Sequence, residues 1–386
     1  MSHSILAPSS ANMWSKCGGW VVMSQSFPEP SQTTDAARIG TAAHEVAARY
    51  IESHARAKTY SPVAGELTDN DVTIDDEMLD ACEMYADNVR EVMIQTGVFG
   101  GSFLGVEMPL KMPMINDHMF GTADCVLIDT ANKTAYVWDY KHGFDPVDVY
   151  ENYQLISYAA GVIDYLTTHT PFLGSQNQDF KFVFRIVQPR AMHRHGPIRE
   201  WSVTLAELRP YLDQLSQAAT LAMSGVGQTQ SGPHCRYCPA RHACESAISA
   251  GVGLYEVAAQ ALPLDMTPDA VAAQLAIVTR ASRQLESIKD ALEQQVEALI
   301  KKGTNVRGYI AEPRRGRETW KDLDQVFALG DMLGVDLRKV SAVTPKQAEK
   351  LGIDGSVIKE YIHSPVTGTQ IVPDNGNKAK LIFGAK

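Results

Sequence analysis

TAYVWDYK, residues 134–141, decides the fold. It is short, β-branched and aromatic, and turn residues bound it, which is the signature of a strand. Side chains two apart on a strand share a face. Ala135, Val137, Asp139 and Lys141 therefore face one way, and Tyr136, Trp138 and Tyr140 the other. The first set ends in a carboxylate and an amine about 7 Å apart along the strand. That is an odd pairing at the end of an otherwise apolar strand, and it marks a candidate for chemistry.

Working outward, FGTADCVLID (120–129) also reads as a strand, and Thr130–Lys133 has the composition of a hairpin loop. A turn centred between Ala131 and Asn132 places Asp124 directly across from Asp139, with Cβ atoms about 5 Å apart. Two carboxylates that close repel unless a cation lies between them. Oxygen ligands beside an anionic substrate suit Mg²⁺ or Mn²⁺. Such an ion binds a phosphate oxygen, lowers the pKa of its water and stabilises developing charge. Lys141 would orient the attacking water or neutralise charge at phosphorus. The reaction class is phosphodiester hydrolysis. An Asp–Lys pair alone is also what an ordinary surface hairpin carries.

The flanking chain alternates helices and strands, an α/β pattern. AARIGTAAHEVAARYIESHARA predicts a helix over 36–58, being rich in alanine and free of internal proline. A second helix is predicted over 76–96, with a loop at 60–75 between them. Strands are predicted at 103–110, 180–189 and 198–204, and helices at about 148–168, 205–224 and 265–302. An opening segment is helical around 11–23. The stretch GVGQTQSGP after the 205–224 helix reads as flexible. The last long helix carries heptad-like apolar spacing (Leu275, Val278, Leu285, Leu292, Leu299) and would cover the core or form an intermolecular coiled coil. The domain expectation is a core over 1–250, a helical connector over 251–304 and a small α-rich domain over 305–386.

A net charge of −10 argues against a generic basic nucleic-acid coat protein, and a phosphate-binding role would need locally basic surface. The most basic stretch lies at 301–321, with Lys301, Lys302, Arg307, Arg314, Arg315, Arg317 and Lys321. It is a candidate DNA-backbone contact or a solvated face. No apolar run approaches the ~18 residues of a membrane span, and no signal peptide is evident, so a cytoplasmic protein without membrane partners is expected.

Six cysteines are present, and HCRYCPARHACES groups Cys235, Cys238 and Cys244 within ten residues. Clustered thiols in a chain without a secretion signal favour a metal over disulfides. A closed site needs a fourth ligand, and Cys17, 218 residues upstream, is the candidate. Four thiolates suit Zn²⁺ as well as an iron–sulfur cluster. Cys82 and Cys125 read as small core residues.

Four motifs in order carry a resemblance: GTAAHE (40–45), GTAD (121–124), DYK (139–141) and QLISY (154–158). Together they resemble RecB-like PD-(D/E)XK nucleases over about residues 10–250. That family includes the nuclease domains of RecB and AddAB, CRISPR-associated RecB-like exonucleases and phage recombination exonucleases. The resemblance implies a restriction-endonuclease-like mixed central sheet flanked by helices. By position it makes His44, Asp124 and Asp139 ligands of Mg²⁺ or Mn²⁺, and Lys141 the catalytic lysine. Gln154 and Tyr158 match the pair that contacts DNA or buttresses the site, and Glu107 matches a common acidic position. One early cysteine followed by three late ones resembles the iron–sulfur branch, which implies a 4Fe–4S cluster on Cys17, Cys235, Cys238 and Cys244. It makes Zn²⁺ the lesser occupant.

The function so implied is a metal-dependent DNA nuclease, an exonuclease of recombination, repair or replication, of a kind phages encode. Its partners would be DNA and a recombinase, single-strand-binding protein or helicase, since the chain has no GxxxxGK[ST] motif of its own. The alternative is a DNA-binding or assembly subunit that keeps a nuclease fold without catalysis.

Overall fold

The computed structural model describes residues 4–27, 35–56, 61–97, 103–170, 177–260 and 265–309. The chain divides into two units, Met1–Ala311 and Glu312–Lys386, and the second lies outside the described residues. So do Arg314, Arg315, Arg317 and Lys321 of the basic stretch.

The first unit is α/β. Its centre is a mixed five-stranded sheet in the order β1(Phe103–Lys111), β2(Phe120–Asp129), β3(Thr134–Tyr140), β4(Lys181–Val187), β5(Ile198–Thr204). Neighbouring strands are antiparallel except β3 and β4, which run parallel. A parallel pair needs a crossover, and α5(Tyr153–His169) supplies it. The hairpin register is the one the sequence suggests. Cys125 pairs with Trp138 and Val126 with Val137, and the same register extended by one residue sets Asp124 opposite Asp139.

Each face of the sheet is covered. Ala135, Val137, Val126 and Ile128 pack with α5, α6(Leu205–Met223) and the N-terminal helices α1(Ala11–Trp14) and α2(Trp20–Ser26). Tyr140, Trp138, Cys125 and Leu127 pack on the other side with α3(Asp35–Arg56) and α4(Asp76–Thr96). The alternation along β3 is what divides these two cores. Cys82 and Cys125 are fully buried among the second set.

Two helix starts differ from expectation for stated reasons. α5 begins at Tyr153, not near 148, because the Asn152 side chain accepts from the amides of Gln154 and Leu155 and so caps the helix there. The opening segment is not one helix around 11–23 but two short ones, broken at Gly18–Gly19. α7(Glu245–Ala258) and α8(Pro268–Lys301) pack together, and α8 also packs on the short helical turn Pro233–Tyr237. The Arg241 guanidinium donates to the Ser287 carbonyl (2.8 Å), and the Ser287 hydroxyl to the Arg236 carbonyl (3.1 Å). α8 thus packs on the cysteine-bearing segment, not on either core of the sheet, and its heptad residues Leu275, Val278, Leu285, Leu292 and Leu299 stay exposed. Among the described residues no helix is long and apolar enough to cross a membrane.

Candidate functional site

The end of β2 and the end of β3 bring the acidic residues to one place. Asp124 reaches out of β2, and its Oδ2 accepts the Tyr140 amide at 2.7 Å. Its Oδ1 lies 3.4 Å from Nδ1 of His44, which α3 lays across the sheet end. The His44 ring meets the Tyr140 ring edge-on, with centroids 5.5 Å apart. The same His44 nitrogen is 3.9 Å from Glu107 Oε1. Glu107 falls opposite Asp124 in the β1–β2 ladder, between the pairs Val106–Cys125 and Met108–Ala123. Its φ is 44°, left-handed for a residue inside a strand. Such backbone costs about 1–3 kcal/mol and persists where the surroundings demand it.

Asp139 is almost wholly buried, 1 % exposed, and shares its strand face with Ala135 and Val137. Lys141 extends the parallel ladder, its amide donating to the Val187 carbonyl at 2.9 Å. Its ammonium donates to Asp139 Oδ1 (3.0 Å) and to Gln154 Oε1 (3.1 Å) on α5. Gln154 Nε2 in turn donates to the Tyr158 hydroxyl at 3.4 Å, as residues four apart on one helical face can. The ammonium is 2.9 Å from Asp139 Oδ2, yet that oxygen receives no hydrogen bond of acceptable geometry and is buried without one.

The electrostatics follow from this crowding. Burial works against a charge on His44, but Asp124 and then Glu107 overcome it and hold its pKa up at about 9. Burial, then the neighbouring Asp124, pushes Glu107 up to about 7. Asp124 is held below the usual carboxylate range. Burial opposes this, and His44, Lys141 and the Tyr140 amide outweigh it. Asp139 rises to about 6, raised by burial and by Asp124 and only partly relieved by Lys141. Lys141 stays an ammonium, its pKa raised by Asp139 and Asp124 against burial.

These residues fit a divalent cation. One ligand atom each from His44, Glu107 and Asp124 lie within 4.8 Å of one another. Ligands at about 2.0–2.2 Å from an ion need that closeness. The unbonded Asp139 oxygen beside them is a further donor. Sequence reasoning named His44, Asp124 and Asp139 as ligands and left Glu107 in support. The structure groups Glu107 with His44 and Asp124, and sets Asp139 beside them on Lys141.

The loop after Lys141 depends on Gln188, which sequence reasoning missed. This buried amide donates to the carbonyls of Gly143 (2.8 Å) and Asp145 (2.7 Å), and its oxygen accepts from the Val147 amide (3.0 Å) and Arg199 (2.7 Å). A neutral polar residue directly after the apolar pair Ile186–Val187 that ends the strand was the available signal.

Cys17, Cys235, Cys238 and Cys244 line one cavity, with Trp20, Met23 and His234. The segment after α6 is not a loose linker. Its Gln228 carbonyl accepts the Gly19 amide (3.1 Å), and its Gln230 amide reaches the Cys17 sulfur (3.5 Å). A Cβ on Gly227 would collide with the Gly18 backbone, so only glycine lets the strap close on the N-terminal turn. Burial, then the other sulfurs, raises the Cys238 thiol to about 11 and lifts Cys235.

One comparison spans both sites. A family model described as "Protein of unknown function (DUF2800)" matches residues 3–378, nearly all of the 386 residues, and the chain belongs to that family.

Proposed function

We propose that the protein is a metal-dependent DNA nuclease that hydrolyses phosphodiester bonds, working as an exonuclease in recombination, repair or replication. The observation that carries this is the His44–Glu107–Asp124 cluster with Lys141 held beside it by Asp139 and Gln154. The four-motif resemblance to RecB-like nucleases and the mixed sheet that places those motifs support it.

His44, Glu107, Asp124 and Oδ2 of Asp139 would hold Mg²⁺ or Mn²⁺, which would supply Lewis-acid polarisation of a phosphate oxygen and a more acidic water. The remaining work falls to the chain. The Tyr140 amide fixes Asp124, so the carboxylate does not depend on an ion for its orientation. Asp139 and Gln154 aim the Lys141 ammonium, a full positive charge, at the place where phosphate charge would develop. The Tyr158 hydroxyl steadies Gln154.

The four cysteines are proposed to carry a 4Fe–4S cluster, with Zn²⁺ as its rival. Among the described residues no three of the four sulfurs come within 4.8 Å of one another. Zn–S bonds of ~2.3 Å would draw them to about 3.8 Å. A brown preparation with matching iron and sulfide supports the cluster, and colourless protein with stoichiometric zinc replaces it.

The test of function is end-labelled linear DNA and closed circular DNA, incubated with purified protein and Mg²⁺ or Mn²⁺. Cation-dependent shortening of the linear substrate, with the circle spared, is the expected result. DNA binding without cleavage under any cation would instead make the protein a non-catalytic DNA-binding subunit.

A further inference from the structure

The loop that follows Lys141 and the cysteine-bearing segment bonded to it each carry one pinned and exposed aromatic ring. Phe144 stands three residues after Lys141, within about 10 Å of chain. It is 63 % exposed. One face of its ring is covered by the Arg190 guanidinium, 4.2 Å from the centroid. Arg190 is not free to wander, since it is bonded to Glu77 (2.7 Å) and to the His142 carbonyl (3.3 Å). The backbone beneath is fixed by Gln188.

Tyr237 repeats the arrangement from the cysteine-bearing segment. It is 60 % exposed, its hydroxyl donates to Asp145 (3.1 Å), and Arg236 lies 5.2 Å from its centroid. Asp145, next to Phe144 in the chain, pairs with Arg236 at 2.8 Å, and both side chains are exposed. The pairing offsets part of the negative charge beside Phe144. A ring held in place by its neighbours yet open to water offers a flat face on which another ring can lie.

We infer that Phe144 and Tyr237 form a stacking platform for the unpaired bases of single-stranded DNA entering the site beside Lys141. This deepens the nuclease proposal, and rests on it for the identity of the ligand as DNA. Single strands are the fitting class because their bases are free to lie on aromatic faces, whereas duplex bases are already stacked. Guanidinium-backed rings favour such contacts further.

The test is fluorescence anisotropy of labelled oligothymidine and of a blunt duplex, with full-length protein in EDTA so that no cleavage occurs. Phe144→Ala should weaken single-strand binding about tenfold, within the range of one base stack. Phe144→Trp should hold it near the wild-type value, and duplex affinity should stay unchanged. Tyr237→Ala should cost less than Phe144→Ala, and Tyr237→Phe almost nothing. Unchanged single-strand affinity in Phe144→Ala, or equal losses for both substrates, would overturn the platform even if the wild type cleaves DNA. A protein that binds single strands through Phe144 but cleaves no DNA would keep the platform and sink the nuclease reading.

Discussion

At the carboxylate site almost every charged group has a protein partner before any ion arrives. Asp124 holds a backbone amide and faces His44, and Asp139 and Gln154 hold Lys141. Strand register and two packed helices place all of them. At the cysteine pocket the donors come from short turns and a glycine-rich strap, and the sulfurs meet backbone groups at long range, among them the amides of Gln230 and Gly232 at 3.5 and 3.4 Å and the Gln230 carbonyl at 3.9 Å. Those contacts are weak, and burial raises the Cys235 and Cys238 thiols. The carboxylate site is a finished polar network that an ion would join. The cysteine site is a join between chain segments 218 residues apart that an ion would complete. Metal binding is therefore expected to be chemistry in the first case and folding energy in the second.

The largest effect should come from breaking the cysteine join. Cys17→Ser should lower the stability of the purified holoprotein by at least about 3 kcal/mol, with loss of its visible absorption. Stripping the divalent cation with EDTA should leave the melting temperature nearly unchanged. Equal melting of Cys17→Ser and wild type would erase the contrast between the sites.

Next comes Glu107. Glu107→Gln should weaken Mn²⁺ binding by about 10–100-fold, measured by calorimetry, with little change in melting. Glu107→Gly should weaken it as much while stabilising the metal-free protein by up to about 1 kcal/mol, because glycine accepts φ 44° without strain. A destabilised Glu107→Gly protein would mean that the left-handed backbone is not strained.

Asp139 sharpens the comparison through pH. Its folded pKa of about 6 exceeds the ordinary 3.8. For a carboxyl raised in this way, the neutral form is favoured in the fold, so stability is fully present below about pH 4 and lost as pH rises to about 6. Above that window the metal-free protein carries the cost of a buried charge. Asp139→Asn should therefore stabilise metal-free protein at neutral pH by on the order of 1 kcal/mol, read as a higher melting temperature, and lose activity. A lower melting temperature would show that the Asp139–Lys141 pair stabilises the fold outright.

The smallest effect belongs to His142. Burial, then Arg190, lowers its pKa to about 4, and the Tyr140 hydroxyl sits 2.9 Å from its Nδ1. The unfolded chain takes up the proton first, so stability should decline as pH falls from about 6.5 towards 4, by on the order of 1 kcal/mol. Acid titration of His142→Gln against wild type checks it; identical profiles would remove His142 as the cause.

Much of this was legible in the sequence. Strands 120–129 and 198–204 were bounded by their turn residues, and the centre of the Ala131–Asn132 turn fixed the register that sets Asp124 opposite Asp139. Helix α4 matched at both ends, where Asp75 caps it and Gly97 closes it in the left-handed region. What stayed hidden depends on tertiary closeness. A left-handed Glu107 has no local signature, so its place in the ion cluster could not be read. The strap after α6 looked loose because glycines that permit motion and glycines that permit close approach read alike; only the packing of Gly227 on Gly18 separates them. The hydrogen bonds that give Gln188 its role link residues more than 40 apart.

The most direct measurement is the initial rate of phosphodiester cleavage, in Mg²⁺ or Mn²⁺, by wild type, Asp139→Ala and Lys141→Ala, each checked for unchanged folding by circular dichroism. The account predicts cation-dependent cleavage by the wild type and a loss of about 10³-fold or more in each variant, the scale of removing an electrostatic contact to the transition state. Two folded variants cleaving DNA at the wild-type rate would contradict it.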